Sequence, residues 1–229
     1  MANILCIETS DKICSVSFLE NEMIIKTIFG TEINDHASQL AVIINKIFKE
    51  TNKRISELHA VALSSGPGSY TGLRIGTSIA KGICYAAEIP LISINTLQAI
   101  ADGFIQKHTL NDFLVCPLID ARRMEAYYSV FNSEMQIVSN QNSIILTQDS
   151  FQELLSENKI YFIGTGAKKF QTIAQTKNAF FFPDYQVSSS DLASLALLAF
   201  RQKVFSDLSS FEPNYIKSFY TTHSAHKNQ

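Results

Sequence analysis

The chain has 229 residues, 46% of them hydrophobic, enough to bury a core in one large domain or two small lobes, which excludes disorder throughout. Nineteen basic against 21 acidic side chains leave a net charge of -2, so no global positive field recruits a polyanion and any RNA contact is local or shared with another subunit. Cys6, Cys14, Cys84 and Cys116 form no CxxC pair, no apolar run nears the ~18 residues of a membrane span, and no basic-then-apolar leader follows Met1, so the expectation is a soluble cytoplasmic protein.

Residues 4–29 read as three short strands, an antiparallel meander with turns at Ser10-Asp11-Lys12 and Glu20-Asn21-Glu22. Asp35 is a candidate N-cap. After it Leu40, Ile43, Ile44, Ile47 and Phe48 recur at helical spacing, and Leu58 to Leu63 is a buried-strand run. A second helix follows a glycine-rich turn, Pro90 to Ile94 is another strand, and Leu97, Ile100, Ala101, Phe104 and Ile105 mark an amphipathic helix starting near Thr96. The order is βββαβαβα. The polar stretch Gln106 to Asp112 reads as a linker, and beyond it the opening recurs when Glu8 is laid on Asp120. Phe18 then falls on Val130, Glu20-Asn21-Glu22-Met23 on Asn132-Ser133-Glu134-Met135, and Ile25 on Ile137; a chance match of two meanders is the alternative. Tyr161-Phe162-Ile163 with Gly164-Thr165-Gly166-Ala167 echoes the first strand and glycine turn. The division expected is 1–110 and 111–229, the last segment able to pack back on the first lobe. Ser188-Ser189-Ser190-Asp191 is a capping-box pattern opening a final helix with Leu192, Leu195, Ala196, Ala199 and Phe200 inward, and the tail from Thr221 is expected to fray.

The most informative segment is Ser64-Ser65-Gly66-Pro67-Gly68-Ser69-Tyr70-Thr71-Gly72-Leu73-Arg74-Ile75-Gly76, a strand passing through a glycine turn into a helix. Such a helix start can hold an anion, or glycine can serve only backbone geometry. The spacing is GxGxxxG and no GxxxxGK[ST] occurs, so neither dinucleotide-fold nor P-loop chemistry is supported. Gly72, Gly76, Ala80 and Cys84 leave one helix face nearly free of side chains, against which either the Leu40 to Phe48 helix or a second protein can pack. Glu8 and Asp120 each end the first strand of a lobe, as metal- and phosphate-holding acids do in actin-like ATPases; solvated turn acids are the plainer reading. Arg122-Arg123 can clamp a phosphate or carboxylate, or form a surface salt bridge. His36, His59 and His108 stand alone and His223-x-x-His226 lacks a third ligand, so no zinc site is expected; without a Gly-x-Ser-x-Gly elbow no serine triad is expected either.

At Ile4 to Val16, Ser65 to Gly76, Asp120-Ala121-Arg122-Arg123-Met124-Glu125-Ala126-Tyr127 and Glu212-Pro213-Asn214-Tyr215 the sequence resembles the TsaB (YeaZ) family. The resemblance implies a two-lobed α/β fold of the actin, sugar kinase and chaperone ATPase superfamily, in agreement with the repeat. It further implies a non-catalytic partner of TsaD, the subunit that transfers threonylcarbamoyl to N6 of the adenosine next to the anticodon of tRNA. TsaE would join them, tRNA would bind through the complex, and a homodimer would form when the partner is missing. TsaD carries a metal-binding His-x-x-x-His; on the matching stretch this chain has Thr96 and Ile100, which cannot replace two imidazoles. No catalytic residue, metal or cofactor is therefore expected. Glu8 stands where an aspartate is more usual in TsaB. The expected partner surface is Leu40, Ile43 and Ile47 with Gly72, Gly76 and Ala80. A vestigial nucleotide or anion site would comprise Glu8, Gly66, Gly68, Asp120 and Arg122. The rival readings are a small ATP-dependent phosphotransferase using Glu8 and Asp120 around magnesium, and a peptidase, for which no nucleophile and base are found.

Overall fold

In the computed structural model, which describes residues 2–108 and 112–216, the same order of elements occurs twice. The first series is β1 (Asn3–Glu8), β2 (Ser15–Glu20), β3 (Met23–Phe29), α1 (His36–Thr51), β4 (Ala60–Ser64), α2 (Tyr70–Ala87), β5 (Leu91–Ile94) and α3 (Thr96–Lys107). The second is β6 (Phe113–Asp120), β7 (Glu125–Asn132), β8 (Ile137–Ile145), α4 (Gln152–Glu157), β9 (Lys159–Ile163), α5 (Ala167–Gln171), β10 (Ala179–Phe182) and α6 (Ala193–Gln202). Each series builds one five-stranded sheet, ordered β3-β2-β1-β4-β5 and β8-β7-β6-β9-β10, so the topology repeats as well as the order. The meander strands pair antiparallel, while β1, β4 and β5 run parallel, as do β6, β9 and β10. The tail from Thr221, with His223 and His226, lies outside the described residues.

Alternation along the central strands explains how three cores form. Leu5 and Ile7 of β1, with Val61 and Leu63 of β4, point to one face, where α1 and α2 cover them with Leu40, Ile43, Ile44, Ile47 and Ala80. Ile4, Cys6, Ala60 and Ala62 point to the other face, into a core shared with Phe113 and Val115 of β6 and with α3 and α6. The remaining β6 side chains, Leu114, Cys116 and Leu118, pack under α4 and α5. The central parallel strands of both sheets are thus covered on both sides, as parallel strands require, while the outer meander strands β3 and β8 stay largely exposed. The last helix of each series crosses over: α3 lies against β6, and α6 with its leading 3-10 turn (Ser189–Leu192) lies against β1 and β5. That turn carries the capping box expected at Ser188 and Asp191, but the helix proper begins only at Ala193. All four cysteines are buried and free.

Residues 204–216 return over the first sheet as a strap. Ser206 forms a bridge with Leu91 at the open edge of β5, and the Lys81 ammonium donates to the carbonyls of Ser209 and Phe211, each at 3.2 Å. Leu208 and Phe211 pack on the α1–α2 core. The strap thereby blunts an edge that would otherwise offer unpaired backbone groups.

Candidate functional site

Ser69 caps α2, its hydroxyl accepting from the Gly72 amide at 3.2 Å, so the glycine turn feeds a regular helix start. The close approach that the glycines allow is taken up by the chain itself. A Cβ on Gly68 would lie 2.6 Å from the Ser10 carbonyl oxygen, and one on Gly66, which has φ +107°, would lie 2.6 Å from that of Asn214. The Asn214 amide donates to Ser65 O at 2.6 Å, and Arg74 Nε donates to the Tyr215 hydroxyl at 3.3 Å while its guanidinium lies over the Tyr70 ring. Two segments far apart in sequence therefore clasp each other, and the turn serves backbone packing at these two positions.

Glu8 ends β1 fully buried. One carboxylate oxygen accepts the Ser10 amide, and the other has no hydrogen-bond partner among the described residues. Burial pushes its pKa up to about 7, partly offset by hydrogen bonding to Ser10, with Asp11 raising it further. Asp120, its counterpart, is instead exposed and engaged: Lys169 Nζ lies 2.6 Å from it, and the Arg122 amide donates to the same oxygen at 2.6 Å. Between the lobes, Ser10, Asp11, Thr96, Ile100, Ile119 and Thr165 help line a cavity of about 20 Å³, room for about one water. A wider opening of about 260 Å³ adjoins it, sharing Asp11, Thr165, Tyr185 and Val187 and lined further by Lys12 and Lys168. A buried acid whose pKa is raised and an acid already paired with a lysine are a poor pair to hold magnesium. Thr96 and Ile100 are themselves buried, Ile100 within the interlobe core. Among the described residues no group of three His, Cys, Asp or Glu could hold a metal ion.

The small-residue stripe of α2 turns inward. Ala80 and Cys84 belong to the core under the first sheet, and Cβ atoms on Gly72 and Gly76 would come closer than 3.0 Å to the Thr9 carbonyl and hydroxyl oxygens respectively. Leu40, Ile43 and Ile47 of α1 occupy the same core. The six residues expected on a partner surface are therefore covered by their own chain, because β1 and its turn supply the close neighbour that the stripe needs. What α1 and α2 present outward is different: Val42 is 64% and Tyr85 82% exposed, and a Cβ on Gly82 would meet nothing within 4 Å. The sequence signal for these positions was their place opposite the apolar stripe, which alone does not separate a docking face from a solvated one.

Comparison with known proteins agrees with this architecture. The family model for "TsaD: tRNA N6-adenosine threonylcarbamoyltransferase" matches residues 31–226. The chain is 32% identical to the Escherichia coli tRNA threonylcarbamoyladenosine biosynthesis protein TsaB, over 57% of this chain and 55% of the relative, so that match spans about half the relative's length. It is also 32% identical to the Buchnera aphidicola (subsp. Acyrthosiphon pisum) TsaB, over 70% of this chain and 68% of the relative, and 26% identical to the Haemophilus influenzae TsaB, over 94% of this chain and 93% of the relative. A Pseudomonas aeruginosa structure described as an uncharacterized protein with similarity to peptidase YEAZ superposes with TM-score 0.82 at 23% identity, covering 95% of this chain and all of that one. An Arthrobacter inorganic polyphosphate/ATP-glucomannokinase gives TM-score 0.50 at 9% identity, over 89% of this chain and all of the kinase. These two likenesses concern the fold, which is the two-lobed form shared by actin-like ATPases and sugar kinases.

Proposed function

Because this chain belongs to the TsaB (YeaZ) family of tRNA threonylcarbamoyladenosine biosynthesis proteins, we propose that it serves TsaD as a non-catalytic partner subunit in the cytoplasm. The observation that carries this reading is the state of the two acids that end β1 and β6. Glu8 is fully buried and Asp120 is bound by Lys169, so neither is free to hold a metal-bound phosphate, and on the family resemblance Thr96 and Ile100, both buried, align with the metal-binding histidines of TsaD. A fold kept whole while its two strand-end acids are buried or paired suits a scaffold whose work is done on its surface.

The surface assigned to TsaD, or to a second copy when TsaD is missing, is the outward face of α1 and α2, with Val42 and Tyr85 as large apolar anchors and Gly82 as the point of closest approach. TsaE and tRNA join through that assembly. The test is reconstitution: the chain, cognate TsaD, TsaE, the threonylcarbamoyl adenylate and a tRNA transcript, each omitted in turn. Modified adenosine should require both this chain and TsaD, and Tyr85→Ala should weaken their association. Product formed by this chain without TsaD would refute the reading.

A further inference from the structure

We propose that the turn between β6 and β7 is a phosphate-binding finger, in which Arg122 and Arg123 grip the backbone of an RNA. The inference rests on the reading above, in which the chain works on tRNA within an assembly. Its starting point is the backbone. Arg122 and Arg123 have φ of +71° and +46°, and they are the only neighbouring non-glycine pair in the left-handed region among the described residues; the other such residues occur singly. Glycine or asparagine adopts that conformation at lower cost, so two consecutive arginines there are a local rule broken twice.

The framework around them is fixed. The Ala121 amide donates to Glu125 O and the Glu125 amide to Arg122 O, both at 3.0 Å, while the Leu146 amide donates to Met124 O at 2.7 Å. The Arg122 amide is held by Asp120, whose charge Lys169 balances at 2.6 Å. The apex is thus hydrogen-bonded into the hairpin, and Asp120 is already paired. The chain has five arginines. Arg54 pairs with Glu57, Arg74 with Tyr70 and Tyr215, and Arg201 with Glu22. Neither guanidinium of Arg122 or Arg123 makes a hydrogen bond or an ion pair among the described residues, and both side chains are exposed. Surface salt bridges, the plainer use of such residues, are therefore not what keeps them there.

Two adjacent guanidiniums repel each other, and a run of phosphates relieves that repulsion while matching the donor fork of each. In a chain of net charge -2, RNA can be held only at such local points. The arrangement is a positioning contact to the backbone and carries no base readout.

The decisive variant is Arg122→Asn with Arg123→Asn. Asparagine tolerates positive φ, so the turn is kept and Tm should equal or exceed the parent's. Binding of a fluorescent tRNA transcript to the complex of the full chain with cognate TsaD is then measured across a salt series. The double asparagine variant should bind several-fold more weakly, and the slope of log K against log salt should shrink by about 1.4 to 1.8, two phosphates' worth. Arg122→Lys with Arg123→Lys should restore most of the slope. An unchanged slope in the asparagine variant overturns the finger. So does a loss of affinity for TsaD with tRNA binding intact, which would make the arginines readers of a partner's carboxylates. If the parent chain adds nothing to tRNA binding by TsaD, the wider reading falls and takes this one with it.

Discussion

Ala80→Leu separates an inward stripe from an outward one. Ala80 is fully buried in the core formed by β1, β4, α1 and α2, with Leu40, Ile43 and Ile47 among its members. Leucine and alanine differ little in helix propensity, so the added volume is the main change. Overpacking a filled core costs typically about 1 to 3 kcal/mol. For a domain of this size each 1 kcal/mol moves Tm by roughly 2 to 4 °C, so a fall of about 2 to 12 °C is expected. Ser78→Leu, on the exposed side of the same helix, is the control and should stay within about 0.5 kcal/mol of the parent. Thermal and urea unfolding measure both, and association with TsaD is followed in parallel. TsaD binding by Ala80→Leu should weaken only as far as the helix is displaced. An Ala80→Leu chain with unchanged Tm that no longer binds TsaD would refute the inward assignment, since the side chain would then have to meet the partner.

Three further outcomes follow from single positions. Gly82→Ala should raise stability by about 0.5 to 1 kcal/mol, since its Cβ enters open space and glycine inside a helix is unfavourable; a lower Tm would show an unseen neighbour. Gly66→Ala should cost about 1 to 3 kcal/mol, because φ of +107° strains any L side chain and the Cβ would press on Asn214 O; in hydrogen exchange, residues 204–216 should lose protection first. Glu8→Gln should change the pH dependence of stability: between the ordinary 4.5 and about 7 the folded chain keeps a proton that the unfolded chain releases, so parent stability falls as pH rises through that window and levels off above it. The full displacement corresponds to roughly 3 kcal/mol, and the difference between parent and variant unfolding curves at pH 4.5 and pH 7.5 measures it.

What could be read from residues alone was whatever is carried by period and punctuation. The meander, the helix start at Asp35, the strand at Leu91 and the helix at Thr96 are local patterns, and the structure has each within a residue or two, although the Asp35 side chain makes no capping hydrogen bond. The duplication was legible because laying Glu8 on Asp120 brings strand, turn and strand into register, and the two sheets share one strand order. In the second lobe the signal thins. α4 and α5 have six and five residues, too short to show a helical period, and β10 is a run of Ala179 and three phenylalanines, half-buried without alternation.

The site was less legible, and the reason is that charge state and cover are tertiary properties. A glutamate ending a strand reads the same whether solvent, magnesium or protein faces it; only its complete burial makes Glu8 a carboxyl that holds its proton near neutrality, against the hydrogen bond from Ser10. A glycine stripe announces a close neighbour without naming it, and here that neighbour is Thr9, some sixty residues earlier in the chain. Asn214 and Tyr215 stood out as a motif, but the glycine turn they clasp could not be inferred from either segment. The same logic bears on Arg122 and Arg123. Their types suggested anion recognition, whereas the fact that argues for it, a pair of side chains without partners among the described residues on a backbone that would be easier to build from other residues, exists only in three dimensions. Binding functions of a scaffold collect at such places, where the chain keeps residues that its own packing does not explain.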